Sequence, residues 1–164
     1  MRTFRHQYST RLINFSVRGA VVRRLALFRN GPDSMKQTLL QQKYPIFVAE
    51  IGKTETRCTS VDDVVAYFKD RIAATPKVRF IEVSDHFAHT AGIGGTIAPE
   101  IGAAVDVIFC FGFALPDPLV LAVRPRSIGI ADLGDRFVIS FLEAPMAPAN
   151  EAMEEWVKGL RDKA

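Results

Sequence analysis

Two histidines three residues apart, in Asp85-His86-Phe87-Ala88-His89, carry the most suggestive chemistry in the chain. On a helical turn such residues project to one side, so His86 and His89 can share a metal ion there, with Glu82 or Glu100 as an added carboxylate. In extended backbone the same spacing sends the two rings to opposite faces. In the plainer reading of the turn Asp85 caps it, and the histidines are surface or hydrogen-bonded groups. The motif lacks the extra turn and the glutamate of the zinc-protease helix.

Three further groups invite a chemical reading, each beside a plainer one. Cys110 is a candidate nucleophile with His86 or His89 as its base, yet it falls within an apolar strand with no neighbouring cation to lower its pKa. Arg124 and Arg126 flank Pro125 and form a candidate clamp for an anionic ligand, although paired arginines at a strand end are usually solvated. Gly92-Ile93-Gly94-Gly95-Thr96 has the glycines of a phosphate loop but no lysine leading into a helix, and its spacing also fails the dinucleotide fingerprint. A flexible connection or a lid over a ligand accounts for it. No Gly-x-Ser-x-Gly elbow is present.

The elements that would position these groups are legible in the periodicity. Tyr44–Ile51 is rich in strand formers, with Pro45 tolerable near a strand's start. Val61, Val64, Val65, Phe68 and Ile72 form one helical stripe over 61–74, Ser60 with Asp63 makes a capping box, and Pro76 stops the helix. Lys77–Ser84 returns as a strand, and residues 85–91 form a short helical turn capped by Ser84. From Ala104 the pattern alternates strictly, with Val105, Val107, Phe109, Phe111 and Phe113 on the core face. Three strands follow, at Leu119–Val123, Ser127–Ala131 and Arg136–Leu142, the last two joined by a turn at Asp132–Asp135. Pro148 opens a final helix whose apolar face is Met153, Trp156, Val157 and Leu160.

These elements predict an α+β fold, a mostly antiparallel sheet of about five or six strands with two main helices packed against it. A length of 164 residues and a hydrophobic fraction of 48% suit one domain with its own core. The longest strictly apolar stretch, Val107–Leu115, is far short of the roughly 20 residues of a membrane helix and reads as a buried strand. The two cysteines, Cys58 and Cys110, have no CxxC spacing, which fits a reducing compartment.

Charge is unevenly distributed. Residues 1–34 hold seven arginines, no lysine and one acid, a net of +6, and since the chain totals +3 the remainder stands at −3. An acidic domain offers no basic footprint for phosphate, so no nucleic-acid partner is expected, and no membrane. The leader, 1–34, reads as a misassigned start ahead of Met35 or as an organelle-targeting segment, with Phe4, Tyr8, Leu12 and Phe15 on one helical face. In neither case does it belong to the fold, which is assigned to 35–164, and the expected location is cytoplasmic unless that segment directs it elsewhere.

The stretch from Ile81 to Pro145 resembles, in abbreviated form, the DUF302 family of small α+β domains. The resemblance rests on Asp85-His86 after a strand, Ile97-Ala98-Pro99-Glu100, Val107–Gly112, Leu115-Pro116 with the following Val-rich segment, and Glu143-Ala144-Pro145. The helical insertion usual between the Phe-Gly strand and the Leu-Pro turn is missing here. What the resemblance implies is architecture, since that family has no settled activity.

Without an assembled catalytic set, the leading expectation is a small soluble module, non-enzymatic, that binds a small molecule or a like subunit as a homo-oligomer. The ligand-binding candidates are Asp85, His86, His89, Arg124 and Arg126. The alternative is a metal-assisted or cysteine-dependent enzyme centred on the Asp85-His86-His89 turn, with His86 and His89 as metal ligands. No particular cofactor is indicated.

Overall fold

The computed structural model describes residues 35–163, so the basic leader, residues 1–34, lies outside the described residues. Six strands form one antiparallel sheet: β1 (Lys36–Leu40), β2 (Tyr44–Gly52), β3 (Val78–Asp85), β4 (Ala103–Phe111), β5 (Arg126–Asp132) and β6 (Arg136–Leu142), in the order β1-β2-β6-β5-β4-β3. The main helices are α1 (Val61–Ala74) and α3 (Ala147–Lys158), and a short α2 (His86–Gly92) follows β3. This is the expected α+β fold.

The core lies between one face of the sheet and the two main helices. The sheet contributes Ala49 and Ile51, Val107, Phe109 and Phe111, Ile128 and Ile130, and Phe137, Ile139 and Phe141, all buried. From α1 come Val61, Val64, Phe68 and Ile72, and from α3 Ala149, Met153, Trp156 and Val157. The aromatic row on β4 meets α3 directly: Trp156 stacks on Phe111 and sits edge-on to Phe109. The tyrosine hydroxyl of Tyr67 on α1 donates to the Trp156 carbonyl at 2.7 Å, joining the helices.

Helix α1 starts as its sequence dictates. Ser60 Oγ accepts from the Asp63 amide at 3.2 Å, and Asp63 Oδ2 accepts from the Thr59 and Ser60 amides. These bonds, those from Thr59 foremost, hold the Asp63 carboxyl down at about 2.

Four details depart from the sequence reading. An extra edge strand, β1, is exposed on both faces and therefore has no alternation to read; its hairpin turns on Gln41 and Gln42, both at positive φ, without the usual Asn-Gly signal. Leu119–Val123 lies in a 3-10 helix, Pro118–Val123, because Asp117 caps the Leu119 amide and Pro118 suits a first helical position. Strand β4 ends at Phe111, so Phe113 leaves the core row and is 46% exposed, stacked on Phe111. The turn into α2 is capped by Asp85 rather than Ser84, with Asp85 Oδ1 accepting from the Ala88 amide at 2.8 Å.

Candidate ligand cavity and the histidine turn

The histidine turn sits at one end of β3. His86 Nε2 lies 2.8 Å from Asp106 Oδ2, across the β3–β4 pair in which Ser84 is registered with Asp106. Gly129, registered with Asp106 on β5, leaves room for that carboxylate: a Cβ there would lie 3.1 Å from Asp106 Oδ1. His89 is exposed on the last turn of α2. The structure thus pairs His86 with a carboxylate, an arrangement able to orient an imidazole. Among the described residues, no group of three or more His, Cys, Asp or Glu is placed to hold a metal ion.

Cys110 lies four residues beyond Asp106 on the same strand, about 13 Å away at strand rise, so the imidazole bonded to Asp106 is no base for it. Its thiol is directed to the Phe111 carbonyl. The glycine-rich segment closes α2: Gly95 donates to the Thr90 carbonyl at 2.8 Å, Gly94 takes a positive φ, and a Cβ at Gly95 would meet Thr90 Cγ2 at 2.7 Å.

The two arginines sit at the opposite end of the sheet, where the strands part. The β5–β6 ladder ends at Gly129↔Ser140, although β5 continues back to Arg126 against β4 and β6 continues to Leu142 against β2. At this end of the sheet lies a cavity of about 290 Å³. Phe111, Phe113, Pro116, Val120 and Val123 form one wall, Ala144, Pro145, Met146 and Ala149 the other, and Arg124 and Arg126 are the polar residues of its lining.

Arg126 is the unusual member. It is only 8% exposed, one guanidinium nitrogen donates to the Leu142 carbonyl, and its buried Nε–H has no hydrogen-bond partner. Arg136 and Arg161 also keep an unbonded N–H, but each has a carboxylate beside it, Glu50 and Glu55 respectively. Among the described residues neither Arg124 nor Arg126 has an ion-pair partner. Burial presses the Arg126 pKa downward, as expected of a cation withdrawn from water without a counter-charge.

Helix α3 adds to the positive character of this end. Its N-cap, Met146, lines the cavity, no side chain caps the first turn, and that turn holds no acid. Pro148 has no N–H and the Ala149 amide donates to the Met146 carbonyl, so Ala147 supplies the first-turn N–H left to this positive end. Sequence reasoning singled out Arg124 and Arg126 but not the cavity wall. The available signals were the uncapped start of α3 and the apolar residues around Leu115–Pro118.

Fold and cavity define a small α+β domain with helices on one side of an antiparallel sheet and a basic-floored apolar pocket where two strands diverge. The chain belongs to DUF6858, a family of unknown function, whose model matches residues 35–162. No curated protein and no solved structure matches the chain. No helix among the described residues is long and apolar enough to cross a membrane.

Proposed function

We propose that this chain is a non-enzymatic binding module whose site is the cavity between Phe113 and Met146, and whose ligand is a small, largely apolar molecule. The observation that carries this reading is Arg126, a buried cation that among the described residues has no ion-pair partner and that lines, with Arg124, a cavity whose other lining is apolar. A buried charge without a counter-charge is costly, so such a group calls for an occupant that meets it. A concave apolar pocket with a few convergent polar groups is the usual form of a small-molecule site. Trp156, the single tryptophan, stacks on the cavity residue Phe111 and so reports on occupancy. Titration with apolar compounds of mixed headgroup should change Trp156 emission saturably in the full chain. The same panel should leave unchanged an Ala114→Phe variant, in which a ring is added at an exposed residue of the cavity lining; equal responses from both proteins would place binding elsewhere.

A second reading, self-association, is favoured by the uncovered face of the sheet. Ile46, Val48, Ile108, Ala131 and Val138 alternate with the core positions and are half-buried, on the face away from α1 and α3, which α2 meets at Asp106 through His86. Six strands of about seven residues present about 650 Å² on that face, near the roughly 800 Å² per partner of a standard interface. Face-to-face pairing with a second copy is the occupant this area suits. Light scattering at tens of micromolar tests it, and a monomer removes it.

A further inference from the structure

We propose, resting on the cavity reading above, that the ligand class is a monocarboxylate with an apolar tail, about ten to twelve non-hydrogen atoms in all, bound head-inward at Arg126. The size follows from volume: a dry apolar cavity of about 150 Å³ holds benzene, and this one is about 290 Å³.

The charge follows from the floor. Among the described residues, Arg124 and Arg126, both without ion-pair partners, line the cavity together with Met146, the N-cap of α3, and no acidic side chain lines it. A neutral headgroup would leave Arg126 uncompensated; an anion in the cavity meets its charge.

The geometry separates carboxylate from phosphate. Arg126 has already committed one donor to the Leu142 carbonyl, and the lining holds no lysine, hydroxyl or amide side chain to surround a tetrahedral dianion. What the cavity offers is the planar guanidinium of Arg126, the counterpart of a planar carboxylate, with half-exposed Arg124 as the second cation of the lining. The rest of the molecule meets Phe111, Phe113, Val120 and Met146, which offer only apolar contact.

The test is a matched set of probes with one tail: sodium octanoate, octanol and octyl phosphate, each titrated into the full chain by Trp156 emission and by calorimetry. Octanoate should bind one per chain, about tenfold or more tighter than either of the others, as a charge-assisted bond dictates. Arg126→Met should bring octanoate and octanol to parity, and Arg124→Gln, at a half-exposed position that leaves folding intact, should weaken octanoate several-fold without affecting octanol. Octanol binding as tightly as octanoate in the parent would overturn the carboxylate class and leave the cavity reading standing. Tighter binding of octyl phosphate would likewise replace carboxylate by phosphoester. Failure of all three probes to bind at millimolar concentration would overturn both readings together.

Discussion

The guanidinium of Arg126 is bonded to the main-chain carbonyl of Leu142, bridging β5 and β6 beyond the point where their ladder stops at Gly129↔Ser140. The side chain replaces strand pairing with a single polar strut, and the same side chain lines the cavity. A residue recruited to a site in this way is a stability liability in the empty protein.

Arg126→Met should therefore leave the ligand-free protein as stable as the parent to within about 1 kcal/mol, because the lost bond to Leu142 is offset by removal of a buried, uncompensated charge. Urea unfolding measures this. A loss above about 3 kcal/mol would show that the strut holds the fold and not a ligand.

Acid should weaken the start of α1. Asp63 titrates at about 2 in the folded chain against an ordinary 3.8. Its contribution is present above the unfolded value and is lost as pH falls through about 4 toward 2. Asp63→Asn should flatten that limb of the stability profile, and Ser60→Ala should cost about 1 kcal/mol at neutral pH. An unchanged acid limb in Asp63→Asn would refute the capping assignment.

Much of this architecture is legible in the residues because local and tertiary demands agree. Ser60, Asp63 and the Val61–Ile72 stripe specify α1 alone, and the alternation of Val107, Phe109 and Phe111 specifies the core face of β4. Where they diverge, legibility fails. Lys36–Leu40 pairs as an edge strand only because β2 lies beside it, and Leu119–Val123 has strand-forming residues but is captured by the cap at Asp117. The cavity is less legible still: its lining comes from Phe111–Pro116, Val120–Arg126 and Ala144–Ala149, which meet only where β5 and β6 part. The arginine pair is visible as a motif, but its burial is a property of the packed sheet.

His86 and His89 provide a contrasting case. With His86 paired to Asp106 but largely in solvent, His86→Ala should change stability by less than about 1 kcal/mol, and His89→Ala by less than about 0.5 kcal/mol. EDTA treatment should leave the melting temperature unaltered. A fall of several degrees on chelation, reversed by one equivalent of divalent metal, would restore the turn as a metal site.

Core truncation should be far more costly than any of these. Phe109 is fully buried against Trp156, so Phe109→Ala should lose about 3–5 kcal/mol. A loss below about 1 kcal/mol by urea unfolding would show that α3 does not pack on β4 as described.

The central claim, that the cavity floored by Arg126 is a ligand site, is tested most directly by ligand-observed NMR with a fragment library, run in parallel on the parent chain and on Ala114→Phe. Fragments of about eight to twelve non-hydrogen atoms should give saturation-transfer signals with the parent that disappear with the blocked variant, acids prominent among them. A library whose hits do not distinguish the two proteins would contradict the account.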